Sequence, residues 1–129
     1  MLRWILRYAW AAPNTLLGLV FGALILCGRG ARVRVVGGVL EFGGGALAWL
    51  ARRWPRAVRF DAITFGHVVL GVNAFALART RAHERVHVRQ YERWGALFLP
   101  AYLGASAWLW LRGRDAYRDN PFEREAYRA

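Results

Sequence analysis

The sequence contains no lysine, since all 19 of its basic residues are arginine, and its acidic residues number only 8. The resulting net charge of +11 predicts an anionic partner, because the planar guanidinium group binds phosphate through paired hydrogen bonds. Cys27 is the single cysteine, which excludes an internal disulfide and removes any indication of an oxidising compartment. Internal repeats and low-complexity segments are also absent, and the length fits one small domain.

Charge is missing from residues 8–28, a run of 21 residues that is long enough to cross a bilayer. Pro13-Asn14 predicts a break in this run, because the residue before proline avoids the helical region and Asn can start a new helix. We expect residues 1–30 to form a hydrophobic membrane or interfacial segment. The alternatives are a buried helix of a soluble protein and a secretory signal peptide, although no small-x-small cleavage site is present.

The composition favours lipid over nucleic acid as the anionic partner, since 57% of the residues are hydrophobic and 7 are tryptophan. A nucleic-acid-binding module would leave the long apolar runs unexplained. Four arginines surround Trp54 in the pattern of a membrane interface, namely Arg52, Arg53, Arg56 and Arg59. Twelve arginines lie between residues 28 and 93, against two before residue 8, which predicts that this part stays on the cytoplasmic side.

The middle of the chain carries strand signals. Residues 31–36 and 39–42 alternate around Gly37-Gly38, which predicts an antiparallel hairpin. A short helix is predicted over residues 46–53, because Trp54-Pro55 ends it, and a strand over residues 62–70. A second uncharged run, residues 94–111, is expected to pack in the core or to dip into the membrane interface and return.

The strongest functional signal is His83-Glu84-Arg85-Val86-His87, within a helix predicted over residues 74–94. The four-residue spacing puts both imidazoles on one helix face, where they can share a zinc ion and leave it able to acidify a bound water. Glu84 lies about 100° round the same turn and can accept the proton of that water. The alternative is an amphipathic helix with two surface histidines. The opposite face carries arginines that either are solvated or contact anionic lipid: Arg81, Arg85, Arg89 and Arg93.

A third zinc ligand must come from elsewhere in the chain. The three-histidine pattern needs a histidine six residues after His87, and Arg93 occupies that position. Asn120-Pro121 predicts the start of a short helix, because Asn caps helices and Pro is tolerated at the first position, and this helix would hold Glu123 in place. Glu125 points about 200° away from Glu123 on such a helix and is an alternative ligand, as is His67.

The helix motif, followed 36 residues after His87 by Glu123-x-x-Ala126, resembles the gluzincin metallopeptidases, which include membrane-bound prenyl-protein and heat-shock types. The resemblance covers about residues 62–128. It implies that His83, His87 and Glu123 are the three zinc ligands and that Glu84 is the general base. The family has Asp directly after the Ala, whereas this chain has Tyr127, so the carboxylate expected to steady a histidine ligand is missing.

These observations predict an α+β fold, in which residues 31–129 form a small zincin-like domain with a short antiparallel sheet behind a hydrophobic N-terminal helix. The expected function is a zinc-dependent metallopeptidase at a membrane, whose peptide or protein substrate pairs with the edge strand over residues 63–70. The alternative is a non-catalytic membrane-associated protein with a structural or vestigial zinc site. Four side chains are candidates to stabilise the oxyanion: His67, Tyr91, Tyr117 and Tyr127.

Overall fold

The computed structural model describes residues 1–55 and 60–129, and it confirms the predicted α+β class. Its helices are α1 (Leu2–Leu26), α2 (Gly45–Arg53), α3 (Ala74–Trp94), α4 (Phe98–Leu111) and α5 (Pro121–Ala126), with a 3-10 turn, Gly95–Leu97, between α3 and α4. Its strands are β1 (Arg32–Val36), β2 (Val39–Gly43), β3 (Ala62–Phe65) and β4 (Val68–Gly71). Arg56 and Arg59 of the predicted arginine cluster lie outside the described residues.

The strands form one sheet in the order β1-β2-β4-β3. The predicted hairpin is confirmed, since β1 and β2 pair antiparallel with Val36 opposite Val39. Gly37 and Gly38 form its turn with φ values of 54° and 78°, which glycine adopts without strain. The sheet is mixed, because the central pair, β2 and β4, runs parallel. No short turn joins these two strands, so local sequence patterns carry no information about their relative direction.

The single strand predicted over residues 62–70 is instead a second hairpin, because the chain turns at Gly66-His67 between β3 and β4. Gly66 has a φ of 60°, and a Cβ at this position would lie 2.2 Å from the Thr15 hydroxyl oxygen. That hydroxyl accepts a hydrogen bond from the His67 N–H at 3.1 Å. The turn therefore needs glycine for both its backbone conformation and its contact with α1. The turn is not apparent in the sequence, because the flanking β-branched residues resemble one continuous strand.

The break predicted at Pro13 is wrong, because α1 continues through Pro13 to Leu26. Asn14 does not cap a new helix. Its side-chain amide is buried and donates a hydrogen bond to the Gly95 carbonyl at 3.0 Å. Tertiary packing offsets the cost of the proline, since α1 buries one stripe of residues at helical spacing: Ala11, Asn14, Gly18, Gly22 and Ile25.

Helices cover both faces of the sheet. Ile25 of α1 packs with Phe42, Val68 and Leu70 on one face. On the other face, α3 contributes Leu77 and Val88 to a second cluster, which includes Val39 and Val69. A third cluster, Ala11, Tyr91 and Phe98, joins α1, α3 and α4. These contacts hold α3 between the sheet and the C-terminal helices.

Two arginines of the predicted basic face of α3 are engaged within the protein. Arg81 donates two hydrogen bonds to the buried Glu41 carboxylate, at 2.9 and 3.0 Å. Arg85 donates to the carbonyls of Val36 and Gly37 at the end of β1. These side chains therefore fasten the first hairpin to α3, because a buried carboxylate and unpaired turn carbonyls both require donors.

Within the described residues, two helical segments are long and apolar enough to cross a membrane: α1, and the continuous stretch Ala74–Leu111. The side of α1 away from the sheet exposes large apolar side chains such as Trp4, Leu16 and Leu24. In α4, Phe98 and Leu109 are buried, while Trp108 and Trp110 are exposed. Both helices thus have apolar surface that the fold does not cover.

We expect Gly18→Ala to destabilise the protein, whereas Gly104→Ala should leave its stability equal or higher. A Cβ at Gly18 would lie 2.7 Å from the Val68 Cβ and 3.0 Å from the Phe65 carbonyl oxygen, so α1 would have to move off the sheet. Such overpacking costs about 1–3 kcal/mol. A Cβ at Gly104 meets nothing within 4 Å, and replacing a helical Gly by Ala adds roughly 0.5–1 kcal/mol. Thermal unfolding in detergent, followed by circular dichroism, compares the two; equal midpoints would contradict the close approach of α1.

Candidate metal centre

The paired histidines lie on α3, which has the bounds predicted from the sequence. The helix begins after Asn73, whose side chain accepts a hydrogen bond from the Ala76 N–H at 2.7 Å, and it ends at Gly95 with a φ of 59°. His83 and His87 are one turn apart, and their Nε2 atoms are separated by 3.2 Å. Both imidazoles therefore present the same nitrogen to one point.

Helix α5 brings Glu123 to that point. Asn120 accepts a hydrogen bond from the Phe122 N–H at 3.0 Å, and Pro121 is the first helical residue, as the sequence predicts. The buried Asn120 amide also donates to the Tyr102 carbonyl at 3.1 Å and to the Ser106 hydroxyl at 2.8 Å. These bonds fix α5 against α4, so Glu123 is held in a buried position.

The three side chains converge at the spacing of metal ligands. The Glu123 Oε2 atom lies 3.0 Å from His83 Nε2 and 3.4 Å from His87 Nε2. A tetrahedral zinc ion with ligands at about 2.0–2.1 Å places neighbouring ligand atoms roughly 3.3 Å apart. Glu123 Oε2 is buried, and no described residue gives it a hydrogen bond of suitable geometry. The spacing and the donor atoms fit one zinc ion.

Neighbouring groups orient two of these ligands. The Nδ1 atom of His87 lies 2.8 Å from the Oε1 atom of Gln90. Gln90 in turn donates through Nε2 to the Phe122 carbonyl and to Glu125 Oε2, so its Oε1 is left to accept. His87 therefore carries its proton on Nδ1 and has an Nε2 lone pair for a metal. Tyr102 donates to Glu123 Oε1 at 2.6 Å.

The roles of Gln90 and Tyr102 are not apparent from the motifs. Gln90 lies on the histidine face of α3, and its position three residues after His87 is the signal that links the two side chains. Tyr102 belongs to the second uncharged run, where an apolar context hides a polar contact.

Neither alternative ligand joins the cluster. The Glu125 carboxylate is half exposed and accepts the hydrogen bond from Gln90. His67 lies in the β3–β4 turn, where its Nε2 is 3.0 Å from Glu92 Oε1 and its ring stacks on Tyr8 at a centroid distance of 3.9 Å. The described residues bring together His83, His87 and Glu123 as a group that can hold a metal ion.

The site concentrates negative charge where a cation would lie. Burial opposes the charge on Glu123, but contacts with His83, His87 and Tyr102 lower its pKa to about 2. Burial acts to lower the pKa of His87, yet its contacts with Glu123 outweigh this and the pKa is raised. Protons and a metal ion therefore compete for the same nitrogen.

Glu84 faces the same cavity from the adjacent position on α3. Burial raises the pKa of this carboxyl, although the hydrogen bond that Thr64 donates to Oε2 at 2.6 Å acts in the opposite direction. The cavity has a volume of about 160 Å³, and its walls include β3, the histidine pair, Tyr117 and Glu123. A buried carboxylate beside a metal position is the arrangement that a general base requires.

The contacts of the four candidate oxyanion donors show which of their side chains are already engaged within the protein. Tyr91 is buried and its hydroxyl donates to the Thr64 carbonyl at 3.0 Å, while His67 is held by Glu92. Tyr127 packs edge-on against the His83 ring at a centroid distance of 4.5 Å. Its hydroxyl is 2.9 Å from that of Tyr117, which lines the cavity. Tyr117 and Tyr127 therefore remain as candidates.

We expect the purified protein to bind one zinc ion per chain, and Glu123→Ala to lower the zinc content far more than Glu125→Ala. Glu123 supplies an atom to the converging set, whereas Glu125 reaches the site only through Gln90. Elemental analysis after dialysis against a weak chelator measures the difference. Equal zinc retention in the two variants would reject Glu123 as a ligand.

No protein-family model, curated protein or solved structure matches this chain. The interpretation of the site therefore depends on its own residues and their geometry.

Proposed function

We propose that this protein is a zinc-dependent hydrolase of peptide bonds that acts at a membrane surface. The observation that carries the proposal is the convergence of His83 Nε2, His87 Nε2 and Glu123 Oε2, at separations of 3.0–3.4 Å, beside the buried carboxyl group of Glu84. Two imidazoles and one carboxylate are the ligand set of catalytic zinc sites that keep a position open for water.

A zinc ion bound here would acidify a water molecule and polarise a substrate carbonyl. Glu84 would accept a proton from the attacking water and deliver it to the leaving amine. Thr64 supports this role, because its hydroxyl donates to Glu84 Oε2 at 2.6 Å and so fixes the orientation of the carboxyl group. The raised pKa of Glu84 suits a carboxyl group that must take up a proton and release it again.

The open edge of β3 is suited to an extended peptide. Asp61 and Val72 share a backbone hydrogen bond next to the β3–β4 ladder, so by alternation Ala62 and Thr64 turn their backbone groups away from β4. The Thr64 carbonyl already accepts a hydrogen bond from the Tyr91 hydroxyl. The N–H and C=O groups of Ala62 have no partner within the ranges 1–55 and 60–129, and a substrate strand can pair with them.

A second depression gives an extended chain room to leave the site. It encloses about 860 Å³ and shares Ala62, His83, Glu84 and Tyr117 with the smaller cavity. Among the described tyrosines, Tyr117 lines both spaces, and it is the preferred oxyanion donor. A substrate that follows β3 would pass from this depression across Glu84.

A structural or vestigial zinc site is the competing interpretation. It is favoured by Tyr127, which packs against His83 in place of the carboxylate that related sites use to steady a ligand. Structural zinc sites have four protein ligands, whereas the group in the described part of the chain has three. The hydrolase therefore remains the better-supported function.

We expect Glu84→Gln to retain zinc and to lose hydrolysis by roughly 10²–10⁴-fold, because glutamine keeps the shape of the side chain but cannot accept a proton. Glu92→Gln, on the same helix but paired with His67, is the matched control and should keep the wild-type rate. Cleavage of a mixed peptide library in detergent, at matched zinc content, gives the rates. Equal rates for wild type and Glu84→Gln, or no cleavage by either, would favour the structural-zinc interpretation.

The membrane is the proposed partner of the exposed apolar side of α1. The opposite side of this helix packs on the sheet, so the exposed side chains, among them Leu16, Val20 and Leu24, face outward together. Trp49 of α2 is also exposed, and Arg53 stacks over its ring at 4.0 Å, a pairing suited to the headgroup layer. The excess of arginine after residue 28 supports a cytoplasmic location for the site.

We expect the full-length protein to sediment with membranes and to require detergent for release. Cys27 is exposed at the end of α1, so it reports the side of the membrane on which this end lies. A membrane-impermeant maleimide should label Cys27 only after the cells are permeabilised, with Cys27→Ser as the unlabelled control. A soluble protein would contradict the membrane partner, and labelling in intact cells would contradict the cytoplasmic side.

A further inference from the structure

An apolar groove lies on the side of β3 opposite to the metal centre. It has a volume of about 320 Å³ and runs between α1, α2 and the sheet. Its walls include Phe21, Leu24, Leu47, Leu50, Ile63 and Phe65, and every described residue that lines it is apolar. The metal, the general base and the charged side chains described above have no part in it.

The groove and the metal-centre cavity meet at one strand. Ile63 and Phe65 line both spaces. Side chains alternate along β3, so Phe65 belongs to the apolar cluster beneath α1, while Thr64 reaches Glu84 on the α3 side. Ile63 is 41% exposed, which keeps the groove open at the free edge of the sheet.

We infer that the substrates are peptide segments with apolar residues at alternate positions, and that the groove receives these side chains. The inference rests on the proposed function, because it assigns the substrate class of the same site. A chain paired with β3 must alternate as β3 does, with one set of side chains toward Glu84 and the other toward the groove. A fully apolar groove accepts the second set only if it is apolar, since an unpaired polar group would lose its hydration there.

A peptide fits this position better than a lipid acyl chain does. Within the described residues the backbone N–H and C=O groups of Ala62 have no partner, and a peptide can pair with them whereas an acyl chain cannot. The groove is also bordered by Leu24, on the side of α1 that is proposed to face the bilayer. Segments that emerge from the membrane in an extended conformation match both features.

The test uses two labelled peptides of identical composition, one in which single leucines and serines alternate and one in which pairs of leucines alternate with pairs of serines, so that no two leucines in the second peptide lie two positions apart. Their binding to zinc-loaded Glu84→Gln protein in detergent is measured by fluorescence anisotropy. The alternating peptide should bind about 10–100-fold more tightly, because burial of a leucine side chain contributes about 1.5–3 kcal/mol and 1.4 kcal/mol is tenfold in affinity. Equal binding of the two peptides overturns the inference.

Variants assign the binding to the groove. Leu50→Glu on α2 should remove most of the preference while leaving the zinc content unchanged, and Leu24→Glu on the opposite wall should do the same if the first variant folds poorly. Leu103→Glu, at an exposed position on α4, is the matched control and should keep the preference. A preference that survives both groove variants rejects the groove as the binding site.

Two further outcomes separate the possibilities. A fluorescent fatty acid that binds wild-type protein, is lost in Leu50→Glu and excludes the peptide would overturn the inference in favour of a lipid occupant. Selective binding of the alternating peptide without cleavage by the wild-type protein would reject the proposed hydrolase and leave the groove assignment standing.

Discussion

The buried carboxylate of Glu123 sets the main constraint on this structure. A carboxylate removed from water costs several kcal/mol unless hydrogen bonds or opposite charges compensate it. The Tyr102 hydroxyl of α4 donates a hydrogen bond to Oε1, while Oε2 lies beside the two imidazoles of α3 and receives no hydrogen bond from the described residues, so a bound cation would complete the compensation. Helix α5 must therefore start and stay where Asn120 fixes it, and α3 must keep its histidine face turned toward α5.

The same constraint explains why polar side chains are concentrated in a small, largely apolar protein. Gln90 and Asn120 are almost fully buried, and each makes several hydrogen bonds that link separate helices. Buried amides of this kind position their neighbours only when all their donors and acceptors are satisfied. The ligands thus lie on helices that are joined by directional bonds, while the apolar clusters hold those helices against the sheet.

Sequence patterns predicted the elements whose signals are local. The bounds of α3, the Gly37-Gly38 turn and the Asn120-Pro121 helix start all depend on residues a few positions apart. The errors have a different origin. Pro13 continues a helix because the sheet packs along it, and the parallel pairing of β2 with β4 joins strands that are distant in the chain.

The candidate site divides in the same way. The spacing of His83 and His87 corresponds to one helix turn, and the short motif around Glu123 predicts this residue as the third ligand. Gln90 lies three residues after His87 on the same helix, a spacing that is present in the sequence. Tyr102 reaches Glu123 through a contact that forms only after α4 and α5 have packed together, so no spacing rule selects it. The groove beyond β3 depends on the packing of α1 against α2 and is likewise invisible in the sequence.

The position of Glu123 late in the chain has a consequence during biosynthesis. The ribosome releases α1, the sheet and the histidine helix before α5 is made, so a nascent chain that has passed His87 carries two of the three proposed ligands until Glu123 is added 36 residues later. Catalytic zinc sites have three protein ligands, so two imidazoles alone do not complete the proposed site. The proposed hydrolase would stay inactive until α5 docks, so neither the translation machinery nor the nascent chain itself would be exposed to premature cleavage.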